Sequence, residues 1–451
     1  MSSSKQPSLE LTYFDAGGRA EPIRLILAYG GISFEDVRIP GKDFPAKKPS
    51  LDLPFGQVPT LHVDGKVYAQ SIAIARYVAT LAGLYPENPL DALEADLAVD
   101  TIVEATMTFV NAAFMEPDEA MKAEKLADAN DKVLPRLLGG LEKRVVGPFL
   151  LGDAASFADI YVLDFYTQIW TAFSDQLKLT PEQHPKLTAI ANHLRNSTEL
   201  AVRATYKQHE SIDHEPRPAL SHHLEAKAGY RTLPDPPPVL HNEDIPPTTS
   251  PSLELTYFNT GGRAEPIRLI LAYGGISFED VRIPGKDFPA KKPSLDLPFG
   301  QVPTLHVDGK VYAQSIAIAR YVAMLAGLYP ENPLDALEAD LAVDALVEAT
   351  TAFVTAAFME PDEAKRIEKL ADVNNIVLPR LLGGLEKRVV GPFFLGTTPS
   401  FADIYVLDFH MQIWTAFPNL LKMAPDHYPN LAAIADRLSN SIELAAYFKP
   451  K

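Results

Sequence analysis

The chain has no cysteine. That excludes structural disulfides, thiolate metal sites and a cysteine nucleophile belonging to the protein itself. Excess positive charge is also missing: 41 Lys and Arg face 58 Asp and Glu, a formal charge of −17. This is the wrong sign for a surface that neutralises a nucleic-acid backbone. The start, Met1-Ser2-Ser3-Ser4-Lys5, carries no apolar segment of a signal peptide, and no uninterrupted apolar run reaches about 18 residues. A cytoplasmic protein with no nucleic-acid or membrane partner is the expectation.

What is present is a repeat. The letters from Leu9 to Ser71 return from Leu253 to Ser315, shifted by 244 positions. Between 8–100 and 252–344 only three of 93 positions differ: Asp15/Asn259, Ala16/Thr260 and Thr80/Met324. A period this long excludes a solenoid, so the chain is a tandem of two whole units. Each has about 200 residues, enough to bury roughly 70% of its unfolded surface without a staple.

Within each unit the pattern changes once. Leu9, Leu11 and Tyr13 alternate with Glu10 and Thr12, as in a strand. Gly17-Gly18 turns the chain into a helix with Pro22 in its first turn and Gly30-Gly31 at its end. Phe34 to Ile39 reads as a second strand and Pro40 to Phe55 as a loop. Asp64-Gly65 joins two short strands as a hairpin, and Ser71 is the expected N-cap of a helix over Ile72–Leu81. The order βαβ-ββα matches a small thioredoxin-like domain. From Pro89 onward the periodicity is helical: Leu90–Phe114, Glu116–Val145, Ser156–Phe173 and Pro185–Thr205. Ser156-Phe157-Ala158-Asp159 forms a capping box with Asp in the place of Glu, and Ser400-Phe401-Ala402-Asp403 repeats it.

The expected fold class is therefore α/β plus all-α, duplicated. Residues 8–82 and 252–326 are the thioredoxin-like domains, and 90–206 and 334–448 the helical ones. Residues 207–251 form a Pro-rich linker of roughly 35–40 Å as a coil and longer with its prolines. Its His209, His214, His222, His223 and His241 read as a solvated stretch, not as metal ligands.

Leu11-Thr12-Tyr13-Phe14, Gly18-Arg19-Ala20-Glu21, Leu53-Pro54-Phe55-Gly56-Gln57-Val58-Pro59 and Gln70-Ser71-Ile72-Ala73-Ile74-Ala75-Arg76-Tyr77 together resemble a sigma-class glutathione transferase. The resemblance covers both units and omits only the linker. It implies glutathione as co-substrate, no metal, and small electrophiles or organic hydroperoxides as second substrates.

The chemistry asks for what these residues supply. A free thiol of pKa near 8.5 is only about 3% ionised at pH 7. A hydrogen bond to the thiolate, worth about 1.5–3 kcal/mol, raises that to about a quarter to three quarters. Tyr13 and Tyr257 are the candidate donors, at a strand end facing a helix N-terminus whose dipole acts in the same direction. Arg19 and Arg263 resemble the family's arginine beside the thiolate, the alternative being a surface ion pair of Arg19 with Glu21 or Asp15.

For glutathione the resemblance assigns Phe14, Phe44, Lys48, Gln57, Val58, Pro59, Gln70 and Ser71. Their repeats are Phe258, Phe288, Lys292, Gln301, Val302, Pro303, Gln314 and Ser315. Val58-Pro59 is the family's cis-proline motif, Gln70-Ser71 opens a helix as an anion site, and Lys47 rivals Lys48. The electrophile pocket is assigned to Val110, Phe114, Met115, Tyr161 and Phe165 with Phe14, and in the second unit to Val354, Phe358, Met359, Tyr405 and Phe409.

Two positions depart from the family. Where an aspartate reaches across the dimer to the γ-glutamyl amine stand Thr108 and Ala352, with Glu104 and Glu348 one turn earlier as replacements. Met107-Thr108 and Thr351-Ala352 stand where some prostaglandin-isomerising members carry a cation-binding aspartate cluster. The two-fold pairing of the family admits an internal pseudo-dimer, favoured by the linker's effective concentration, or a homo-oligomer. Phe55 and Phe299 align with an aromatic plug used by some classes, and a local core role competes.

Overall fold

The structure, a computed structural model, describes residues 7–200 and 251–449. Most of the Pro-rich linker, with its five histidines, and the last residues of 90–206 lie outside the described residues.

In the first unit β1 (Leu9–Phe14) leads into α1 (Glu21–Tyr29), β2 (Glu35–Ile39), a one-turn α2 (Phe44–Lys47), β3 (Thr60–Val63), β4 (Lys66–Tyr68) and α3 (Ser71–Leu81). The helical domain follows as α4 (Pro89–Val110), α5 (Glu119–Asp128), α6 (Leu134–Arg144), α7 (Phe157–Phe165) and α8 (Pro185–Arg195). The second unit repeats this with β5 (Leu253–Phe258), α9 (Glu265–Tyr273), β6 (Glu279–Ile283), α10 (Phe288–Lys291), β7 (Thr304–Val307), β8 (Lys310–Tyr312) and α11 (Ser315–Leu325). It ends with α12 (Pro333–Val354), α13 (Glu363–Asp372), α14 (Leu378–Glu386), α15 (Phe401–Phe409) and α16 (Pro429–Ser439).

Each sheet has the order β2-β1-β3-β4 or its repeat, β6-β5-β7-β8. β1 pairs parallel with β2 and antiparallel with β3, so the βαβ and ββα halves share one mixed sheet. Asp64 and Gly65 both have positive φ, 49° and 85°, the conformation a two-residue hairpin turn needs. The capping box forms: Asp159 accepts from Ser156 N and Leu150 N at 2.8 Å each and from Ser156 Oγ at 2.7 Å.

The helical boundaries differ from the periodicity. The residues expected in a loop before Phe55 fold into short helical turns around α2. Glu116–Val145 is two helices joined by a π turn at Ala129–Val133, directly before Pro135, which has no N–H to carry an α-helical ladder onward. Gln70 (φ 67°), not Ser71, occupies the cap of α3, and among the described residues its side chain makes no capping hydrogen bond to that end. The stretches Pro89–Met115 and Pro333–Met359 are long and apolar enough to cross a membrane by length and composition. Here they form the central helices of the two bundles.

The units pack directly on each other, α3 against α12 and α11 against α4. At the centre of the seam lies a closed ring of charges. Arg76 binds Asp96 at 3.0 Å and Asp340 at 2.9 Å, and Arg320 binds Asp340 at 2.9 Å and Asp96 at 3.1 Å. Tyr85 and Tyr329 donate to the same two carboxylates at 3.0 Å. All four charges are buried. Burial works against both guanidiniums, but Asp340 and Asp96 outweigh it and hold them well above the usual arginine range. Phe55 is inserted against Gly384 of the other unit and Phe299 against Gly140, where a Cβ would meet the ring at 2.6 Å. The plug role is thus the one the structure displays.

Candidate functional site

The site grows from the end of β1. Tyr13 is buried up to its hydroxyl, and its Oη accepts the Arg19 N–H at 3.2 Å across the Gly17-Gly18 turn. Gly18 has φ 49°, and a Cβ there would stand 2.8 Å from Tyr13 Oη, so only glycine fits. Tyr257, Gly262 and Arg263 repeat the arrangement at 3.2 Å. Beneath the turn lies Arg24, fully buried, bonded to Ala16 O at 2.8 Å and to Asp36 at 3.0 Å. Its guanidinium sits 5.9 Å from the Tyr13 ring centroid.

Arg19 itself is exposed and places Nη2 3.7 Å from Met107 Sδ on α4. The carboxylates offered as its alternative partners go elsewhere, Glu21 to Arg24 and Asp15 to Arg38.

Around this centre the structure gathers most of the residues assigned to glutathione. The Val58–Pro59 and Val302–Pro303 bonds are cis. In the second unit a cleft is lined by Arg263, Phe299, Gln301, Val302, Pro303, Ala313, Gln314 and Ser315. Phe44 packs edge-on to Phe14 at 5.0 Å, with Lys48 Nζ 5.9 Å from the Phe44 ring centroid. Lys48 also approaches Gly56, next to Gln57, which separates it from Lys47.

The opposite unit completes each cleft. Glu348 accepts from Gln57 at 3.3 Å and from Gln70 at 3.2 Å, while Glu104 accepts from Gln301 and Gln314 at 3.1 Å. Arg380 donates to Glu348 at 2.7 Å and to Phe55 O at 2.8 Å, tying the carboxylate to the plug. One turn before the family's aspartate position, a carboxylate does reach across.

Two of the electrophile assignments in each unit need correction. Tyr161 and Phe165, and Tyr405 and Phe409, are core residues: α7 and α15 are buried nearly all round, Tyr161 edge-on to Phe157 and Phe165 to Trp170. Apolar residues at helical spacing filled a bundle interior, not a cleft. Phe114, Met115, Phe358 and Met359 are instead exposed on π turns that end α4 and α12, with Phe114 packed on Phe109 and Phe173. Val110 and Val354 are partly buried at those ends.

Sequence reasoning missed Arg24 and the pair Asp164 and Gln168, and singled out Met107 only for the aspartate cluster it stands in place of. Gly18 N donates to Gln168 Oε1 at 2.9 Å, and Gln168 Nε2 donates to Asp164. A signal existed: these are polar residues at i, i+4 in the apolar stretch Phe157–Trp170, and Asp408 and Gln412 hold the same places in the second copy.

The family described as Glutathione S-transferase, N-terminal domain, matches residues 9–80 and 253–324, and its C-terminal domain matches 105–202 and 348–451. The chain belongs to the glutathione S-transferase family, as a tandem of two transferase units. The hematopoietic prostaglandin D synthase of Gallus gallus is 37% identical over 192 residues, 42% of this chain and 90% of that protein. Glutathione S-transferase 1 of Ascaris suum is 39% identical over 195 residues, 42% of this chain and 91% of that one. Among solved structures, prostaglandin synthase D of Nilaparvata lugens aligns at 31% identity with TM-score 0.41, covering 45% of this chain and 100% of that one. Members of this family use glutathione as co-substrate.

Proposed function

We propose that each unit is a sigma-class-like glutathione transferase site, giving two per chain, that conjugates glutathione to small electrophiles or reduces organic hydroperoxides. In this reading the thiol proton leaves to solvent, and the Tyr13 or Tyr257 hydroxyl donates its hydrogen bond to the sulfur anion. The observation that carries it is the 3.2 Å contact from Arg19 N to Tyr13 Oη. With that oxygen already accepting a backbone N–H, the phenol proton is left to point into the cleft. Arg19 and Arg263 add positive charge at the mouth. Gln57, Gln70 and Ser71 hold the γ-glutamyl end, with Glu348 facing its amine from the other unit. The cysteinyl backbone meets Val58-Pro59, and Lys48 and Phe44 take the glycyl end. The second substrate enters past Phe14 and the exposed Phe114 and Met115. The two units pair within one chain, in the cytoplasm.

Tyr13→Phe and Tyr257→Phe, singly and together, test this with a chromogenic aryl halide after retention on glutathione-agarose. Each single variant loses the share of turnover due to its own half. At pH 7 the double variant loses about 8- to 25-fold, the fall from a quarter to three quarters ionised to about 3% when the pKa rises by one to two units. Parent-like turnover by the double variant rejects the reading. A catalytically weak binding protein on the same scaffold is then favoured if glutathione-agarose still retains the chain. A prostaglandin-type isomerase is a second reading, favoured by the naming of the Gallus gallus relative and read out by product analysis of a lipid endoperoxide.

A further inference from the structure

The glycine turn under the phenol is held from two sides. On one side Tyr13 Oη occupies the space a Gly18 Cβ would take, and on the other the Gln168 amide occupies that of Gly17. Gln168 belongs to the helical domain, on the π turn Tyr166–Trp170 that follows α7. Its Oε1 accepts Gly18 N–H at 2.9 Å and its amide N–H donates to Asp164 one turn earlier. In the second unit Gln412 accepts Gly262 N–H at 2.5 Å, donates to Gly262 O at 3.2 Å, and is held by Asp408.

An extra residue in the helical path is what aims this side chain, since a π turn rotates the following residues away from the face an α-helix would give them. The neighbours on that turn differ between the units, Tyr166/His410 and Thr167/Met411, while the Asp and Gln do not. Thr167 Oγ1 is turned back onto the helix carbonyls Leu163 O and Asp164 O. Only the glutamine crosses to the turn.

We propose that Gln168 and Gln412 are positioning residues. Each clamps the Gly-Gly turn of its unit so that the Arg19 or Arg263 N–H stays on the tyrosine oxygen and the phenol proton stays directed at the sulfur. Asp164 and Asp408 accept from the amide nitrogen and so orient the amide oxygen toward the turn N–H, and in the second unit that nitrogen also reaches Gly262 O. No bond of the protein breaks in this role. Its effect is on how firmly the tyrosine hydrogen bond is presented, because a donor–acceptor chain is strengthened when each member is held in line. The inference rests on the reading of Tyr13 and Tyr257 given above.

The test uses the full chain carrying Tyr257→Phe, so that only the first unit turns over. Gln168→Ala and the near-isosteric Gln168→Met are compared with the parent, reading the ionisation of bound glutathione by thiolate absorbance together with kcat and KM. Expected is a rise of the bound thiol's pKa by about half to one unit and a roughly two- to sevenfold fall in kcat at pH 7, with KM for glutathione nearly unchanged. The reversed pair Asp164→Asn with Gln168→Glu keeps an acceptor toward Gly18 and a donor toward the new carboxylate, and recovers most of the loss. An unchanged thiol pKa, or a loss confined to KM and thermal stability, overturns the proposal. Tyr13→Phe in the same background separates the two levels. If it leaves the thiol pKa unmoved the tyrosine reading fails, and if it raises the pKa while Gln168→Met does not, only the glutamine inference fails.

Discussion

The two helical domains solve one packing problem in two ways. In the first unit Trp170 N–H donates to Leu179 O at 2.9 Å, and His184 lies edge-on to it at 5.5 Å with neither ring nitrogen bonded among the described residues. In the second, the Trp414 N–H has no partner among the described residues, Tyr428 stacks on the indole at 6.0 Å and 19°, and its hydroxyl donates to Met423 Sδ at 3.1 Å. The aromatic wedge is kept and its polar satisfaction has moved. The thioredoxin-like domains show no such drift, with Gln70 and Gln314 both at φ 67°. Packing tolerates exchanges of similar volume. A cleft made of backbone groups, a positive-φ cap and inter-unit carboxylates does not.

The hardest break in this likeness is at the seam both units share. Arg76→Ala leaves Asp96 and Asp340 buried with one guanidinium between them, and should cost up to about 3–5 kcal/mol. Denaturant unfolding should then resolve two transitions where the parent shows one, because two helical domains with different cores no longer share the seam that couples them.

Next is the crossed dependence of the clefts. Glu348→Gln should raise the glutathione KM of the first unit about tenfold while the second keeps its own, and Glu104→Gln should do the reverse. Kinetics in Tyr257→Phe and Tyr13→Phe backgrounds distinguish the halves. Effects on the same unit as the substitution would contradict the geometry.

A smaller effect is expected from pH. Burial in the seam pushes the Asp100 carboxyl up to about 7 and that of Asp344 to about 6, each partly offset by Arg76 and Arg320. A carboxyl with a raised folded pKa binds its proton more tightly in the folded chain. Its stabilisation is complete below the unfolded value near 4 and is lost progressively as pH rises from there through the folded values of about 6 to 7. Asp100→Asn with Asp344→Asn should flatten the melting temperature over that window, and an unchanged slope would assign it elsewhere.

The mildest is Met107→Thr, which gives the first unit the residue of the second, Thr351, beside its exposed arginine. A few-fold shift in relative KM between aryl halides of different size is the expected sharpening, since a pocket contact of one or two methylenes is worth about 1–3 kcal/mol at most.

Much of this was legible in the chain because it is local. The strand alternation, the Asp-Gly hairpin, the capping box of Ser156 and Asp159 and the doubling all lie within short windows or one constant offset. What was not legible depends on three-dimensional company. Tyr161 and Phe165 share their spacing with cleft residues and differ only in being surrounded on every side. Gln168 contacts a turn 150 positions away, and its aim is set by a π turn that periodicity reads as continuous helix. The cap at Gln70 was missed for a related reason: its role is to leave the N–H groups that open α3 free of a side-chain cap, so serine chemistry pointed one residue too far.

The reciprocal seating of Phe55 on Gly384 and Phe299 on Gly140 has a consequence for composition. Two separately made, unlike subunits that associate by the same patch sort at random into like and mixed couples, and their ratio follows expression. Here both partners are translated together and consume each other's docking faces. With both halves of the seam in one chain, the two docking faces are supplied in a fixed one-to-one ratio, and either unit can drift without giving a chain that lacks the other.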